Sequence, residues 1–132
     1  MKRHAALIQH SRDHHHALKL ARLARFAADS GLPEAIEEAS RTITEQFPRA
    51  LEPHFQDEEA GLLPRLAAIG QNELVARTLD EHLRLRELNR ALLANPGDAA
   101  AIAAFAALLH DHVRFEEREL FEIAQNLLYP QG

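Results

Sequence analysis

Apolar positions recur along this chain at helical rather than strand spacing. Leu7, His14, Leu18 and Ala21 fall on one face of a helix. Leu74, Leu85, Leu88 and Leu92 fall on another, with Arg77, Arg84 and Arg90 largely elsewhere. A third stripe runs through Ile102, Phe105, Leu109, His112, Phe115 or Glu116, and Leu120. Residues three and four apart share a helix face, whereas a strand alternates every second residue. No alternation of the second kind persists, and aromatic and β-branched residues are sparse.

Breakers divide the helical pattern into four segments. Ser30, Gly31, Leu32 and Pro33 form one break, Gly70 a second, and Asn95, Pro96, Gly97 and Asp98 a third. Glycine suits the left-handed position after a helix, proline a first helical turn, and aspartate an N-cap. These signals predict helices near residues 4–29, 34–69, 72–94 and 98–128. Short breaks between long helices give an all-α fold, an antiparallel up-down-up-down four-helix bundle. The second helix carries Pro48, Pro53 and Pro64, each lacking a donor and clashing with the preceding turn. Kinks are expected there, since the helical pattern resumes after each proline.

Composition narrows the function classes. A length of 132 residues fits one domain, 1–132, with a core of its own. There is no cysteine, which excludes disulfides, thiolate catalysis and iron–sulfur ligation and fits a cytoplasmic location. A formal net charge of −5 argues against nucleic acid as a partner. The longest run without a charge or histidine, Ala99 to Leu109, is too short to cross a membrane, and the N-terminus lacks the apolar core of a signal peptide. Nine histidines, most of them near carboxylates, make a metal site the candidate chemistry.

Two segments carry the same spacing. "HFQDE" sets His54 four residues before Glu58, and "HVRFE" sets His112 four before Glu116. Each pair shares a helix face, where a neutral imidazole and a carboxylate can grip one ion or two adjacent ones. The other two helices add His14, after Asp13, and His82, after Glu81. Levels along the bundle agree: Glu58 is 12 residues before Gly70 and His82 is 12 after it. His82 is 14 residues before Pro96 and His112 is 16 after it. The first pair of helices matches less well, with His14 17 residues before Gly31 and His54 23 after it. That is a gap of roughly 9 Å for kinks to absorb. On level alone His10 would match better. His14, His15 and His16 cannot all face inward, so the first helix offers His14 first, with His15 and His10 as alternatives. Glu59 and Glu117, which follow the paired glutamates, are expected at the edge of the site or on the surface. An exposed His–Glu pair worth a few tenths of a kcal/mol is the ordinary reading of either spacing alone; two such pairs at matched levels favour a shared site.

The strings "RDHHHALKLA" (12–21), "HFQDEEAGLLP" (54–64), "EHLRL" (81–85) and "HVRFEERELF" (112–121) together resemble the hemerythrin-like, HHE cation-binding family, in family order and over nearly the whole chain. The resemblance implies two non-heme irons inside the bundle. His14, His54, His82 and His112 would then be terminal ligands and Glu58 and Glu116 bridges. It also implies a small-molecule partner such as oxygen. The oxygen carriers of that family place two histidines four apart on the third helix, whereas here Thr78 and Arg86 flank His82 at that spacing. Glu81 points about 100° away from His82 and is not expected to substitute. The fourth-helix spacing is one residue shorter than in the carriers. Both departures leave room for a sensor, an iron-handling or repair factor, or a peroxidase-like enzyme. A metal-free helical interaction module is the remaining class. Imidazole and carboxylate donors without sulfur suit iron, manganese or zinc, and bridging carboxylates in a bundle suit an iron or manganese pair; the resemblance selects iron.

Overall fold

His4 opens the first helix by accepting a hydrogen bond at its Nδ1 from the Ala6 backbone N–H, 3.0 Å away. Gly31 closes that helix with φ 65°, a left-handed position that a side chain would strain. The structure, a computed structural model, describes residues 3–130. It contains four long helices: α1 (Ala5–Ser30), α2 (residues 33–68), α3 (Asn72–Ala94) and α4 (residues 99–128). No strand occurs among the described residues. Pro33 stands in the first turn of α2, and the Asp98 carboxylate caps α4 by accepting from the Ala101 N–H at 3.0 Å. The expected boundaries therefore hold to within a residue.

α1 and α3 each pack between α2 and α4, so short connections send the chain up, down, up and down. Two apolar clusters fill the interior. One, from Ala17 through Ile43, Phe55, Leu85 and Phe105 to Val113, occupies the end with the α1–α2 and α3–α4 turns. The other, built from Leu7, Leu62, Leu63, Leu66, Phe115, Leu120, Phe121 and Ala124, occupies the opposite end. Between them lies a polar layer in which His14, His54, Glu58, His82, His112 and Glu116 are all buried. No helix among the described residues is long and apolar enough to cross a membrane.

α2 and α4 are not uniform α-helices. Wider π turns interrupt α2 at Phe47–Leu51 and Glu58–Leu62, and α4 at Glu116–Leu120. In each, the residue after the turn donates five positions back: Glu52 to Phe47, Leu63 to Glu58, and Phe121 to Glu116. Pro53 and Pro64 each stand two residues beyond a π turn, where the displaced carbonyls no longer meet the ring. The proline-rich helix thus meets Pro53 and Pro64 with local widening. Glu58 and Glu116 each begin a π turn, and such turns gather at functional sites.

Candidate metal centre

The six polar residues of the layer form two clusters that share both glutamates. Ligand atoms of His14, His54, Glu58 and Glu116 all lie within 4.8 Å of one another, and so do those of Glu58, His82, His112 and Glu116. Both carboxylates are fully buried. His14 Nε2 lies 2.8 Å from Glu116 Oε1, and His82 Nε2 lies 3.1 Å from Glu58 Oε1. His54 Nε2 faces Glu58 Oε2 at 3.4 Å, and His112 Nε2 faces Glu116 Oε2 at the same distance. Those last four atoms are buried and make no hydrogen bond among the described residues. Buried polar atoms without partners are costly and rare. A cation in each cluster would satisfy all four, so the residues present fit a metal pair.

The opposite nitrogen of every imidazole is held by a carboxylate further out. His54 Nδ1 is 3.0 Å from Asp13, His14 Nδ1 2.6 Å from Glu117, His82 Nδ1 2.7 Å from Glu59, and His112 Nδ1 2.7 Å from Glu81. Donation from Nδ1 fixes the tautomer, leaving the Nε2 lone pair aimed inward, and raises the basicity of the ring. The pattern has approximate two-fold symmetry. Each acid–histidine pair, 13–14 on α1 or 81–82 on α3, sends its histidine inward and its acid to the histidine of a neighbouring helix. Each second glutamate, Glu59 or Glu117, holds the histidine of α3 or α1. Phe55 stacks on His82 at 4.0 Å between ring centres, and Phe121 on His14 at 5.2 Å. Arginines anchor three of the outer carboxylates: Arg86 on Glu59 at 3.0 Å, Arg77 on Glu81 at 3.1 Å and Arg3 on Glu117 at 3.3 Å.

Electrostatics follow from this packing. Burial pushes the Glu58 carboxyl well above its usual range, and the neighbouring Glu116 charge adds to the push. Burial also opposes ionisation of Glu116, but His112, His14 and His54 outweigh it and hold that group well below its usual range. Burial disfavours a charged His54 too, yet Glu116 and Glu58 lift it to about 11. His82 moves the other way: burial and then the adjacent His112 push it down to about 4. Glu59, Glu81 and Glu117 all sit below their usual range, because their histidine and arginine partners outweigh burial. Protons thus balance the inner carboxylates, and divalent cations would displace them.

All six residues expected from the sequence meet in this layer. On α1 it is His14 that turns inward, while His15 and His16 are exposed. The level mismatch between α1 and α2 resolves with the His54 ring lying between His10 and His14, at 5.1 and 5.2 Å. Glu81 joins neither four-residue cluster and binds His112 from outside, as its direction on the helix required. The outward roles of Asp13 and Glu81 were missed from sequence. Their signal is position: an acid just before an inward histidine points toward the adjacent helix. Thr78 is buried and donates to the Leu74 carbonyl at 2.8 Å.

A helical bundle with a buried layer of imidazoles around shared carboxylates belongs among the cation-binding helical proteins. The family is specific: the model described as Hemerythrin HHE cation binding domain matches residues 7–124, and the chain belongs to that family. Searches of curated proteins and of solved structures returned no match.

Proposed function

We propose that this protein holds a pair of iron ions and uses them to bind or sense oxygen or a related small molecule. His14 and His54 would hold one ion, His82 and His112 the other, and Glu58 and Glu116 would bridge them. One observation carries the proposal: four Nε2 atoms converge on two fully buried carboxylates while all four Nδ1 atoms rest on outer carboxylates. When bound, the iron pair supplies electrons and a coordination position for the small molecule. The protein's own part is to fix the imidazoles, neutralise charge and exclude water. Phe55 and Phe121 wall the layer, and the apolar clusters above and below shield it.

The test is metal analysis of the native protein, followed by absorption spectra with and without oxygen. His54→Ala and His112→Ala are each expected to lower iron content sharply. Unchanged iron stoichiometry in both variants would count against the site.

Thr78 supports a second reading. A non-ligating residue one turn before His82 would leave the ion there with one imidazole fewer than in the family's oxygen carriers. That favours an iron-handling or repair factor, or a peroxidase-like enzyme. Reversible oxygen bands separate the first reading from turnover with peroxide or transfer of iron to an acceptor. Manganese or zinc in place of iron would show in the same metal analysis. A metal-free interaction module would have to leave four buried polar atoms unpaired.

A further inference from the structure

A further imidazole lies on the inner face of α1, one turn before His14. His10 is half-buried, and its Nδ1 is buried without a hydrogen-bond partner among the described residues. Its ring meets His54 edge-on at 5.1 Å between centres. Polar atoms of His10, Asp13 and His54 come within 4.8 Å of one another, yet His10 joins neither of the clusters that share the glutamates. It stands beside the centre without converging on it. Its counterpart under the two-fold pattern is Thr78 on α3, so only the α1 side carries this extra ring.

His10 also lines a cavity of about 190 Å³ between α1 and α2, with Tyr129 beyond the end of α4 completing its wall. Leu7 and Leu62 share the wall, and exposed Gly61 and Arg65 stand at the outer side. Gly61 contributes no side chain to this wall. A Cβ built there meets nothing within 4 Å, and its backbone is helical, without a positive φ. The volume accommodates several water-sized molecules, since a water's share of liquid is about 30 Å³. The cavity thus reaches from exposed residues to a side chain packed against His54.

We propose that this cavity is the outer part of the port through which a diatomic or triatomic ligand reaches the metal pair, and that the His10 ring, which closes its inner end against His54, is the gate the ligand passes. His10 does not ligate the metal; its ring stands between the cavity and His54. The proposal rests on the metal-pair reading above.

The test uses the full-length, iron-loaded, oxidised protein, with azide as the probe and rapid mixing as the readout. Gly61→Leu and, from the opposite wall, Ala6→Leu narrow the cavity. Each is expected to slow azide association by about tenfold or more, with iron content and the final spectrum unchanged. His10→Ala is expected to keep its iron and its azide-free spectrum but bind azide about tenfold faster, the ring no longer closing the inner end. Association rates equal to wild type in both narrowed variants would overturn the port. An association rate equal to wild type in His10→Ala would overturn the gate role, and loss of iron or an altered azide-free spectrum would overturn it by making His10 a ligand. A wild-type protein that takes up no iron would instead remove the metal-pair reading itself, which separates the two failures.

Discussion

At His82 the two ring nitrogens face different partners: Nε2 meets the buried Glu58, and Nδ1 meets Glu59, which Arg86 holds in turn. The same chain of contacts, from arginine to carboxylate to imidazole, recurs through Glu81 at His112 and Glu117 at His14. Side chains outside the layer therefore govern how firmly it grips. Glu59→Gln and Glu117→Gln keep the shape and one acceptor oxygen but remove the charge that raises ring basicity. Each is expected to weaken iron binding by roughly 10–100-fold in competition with a chromophoric chelator, with the helical circular dichroism unchanged. Glu122→Gln, which alters only the outer contact to Arg3, is the control expected to bind as wild type. Affinities equal to wild type in both test variants would show the outer carboxylates to be incidental. The inner six residues were legible in the sequence because repeated His–Glu spacing and matched levels are properties of the chain alone. The outer shell was half legible. Glu59 and Glu117 are marked by following the paired glutamates, but which histidine each one meets depends on the neighbouring helix, and a single helix's pattern does not contain that.

At the scale of the helix, the spacing of buried positions explains the π turns. In α2, Phe47, Leu51 and Phe55 are four apart, and so are Glu58, Leu62 and Leu66; in α4, His112, Glu116, Leu120 and Ala124 repeat the pattern. Steps of four drift by about 40° each in an α-helix, so a run of them would wind away from the core. One wider turn in each run takes up the drift and keeps the stripe inward. Prolines drew attention to α2 in the sequence, but α4 has a π turn without any proline, so spacing is the more general signal. Helix limits were legible because their caps are local: Gly31, Pro33, Gly70 and Asp98 act through their own backbone or the next turn. The π turns were not, because a helix of mixed threes and fours shows its phase only once the packed face is known. Gly61, inside one of these turns, has helical backbone and open space at its missing Cβ. Gly61→Ala is accordingly expected to stabilise the protein by about 0.4–1 kcal/mol, chiefly by restricting the unfolded chain, as read from the urea midpoint at constant slope. A lower midpoint would mean that the turn needs glycine's freedom.

For the molecule as a whole, the arrangement sets two apolar clusters against a charged layer between them. The clusters, with Phe105, Phe121, Leu85 and Ile102 almost wholly enclosed, supply the hydrophobic gain of folding. The layer works against them: burial raises Glu58, lowers His82, and leaves four polar atoms without hydrogen bonds. A cation pair reverses the sign of that contribution, because opposite charge meets the carboxylates and the free lone pairs gain partners. A ligand that binds only the folded state stabilises it by about 2.7 kcal/mol when present at 100 times its dissociation constant. For a chain of this length each kcal/mol moves the melting temperature by roughly 3–6 °C. Anaerobic Fe(II) in that excess should therefore raise the melting temperature of the wild-type protein by about 10 °C in a calorimetric scan. The double variant His54→Ala/His112→Ala, which takes one imidazole from each ion, should lose nearly all of that rise while remaining folded at lower temperature. Equal melting temperatures for the wild-type protein with and without Fe(II) would mean that the layer is held by its protons and ion pairs alone, and that the two buried carboxylates serve the fold without recruiting a metal.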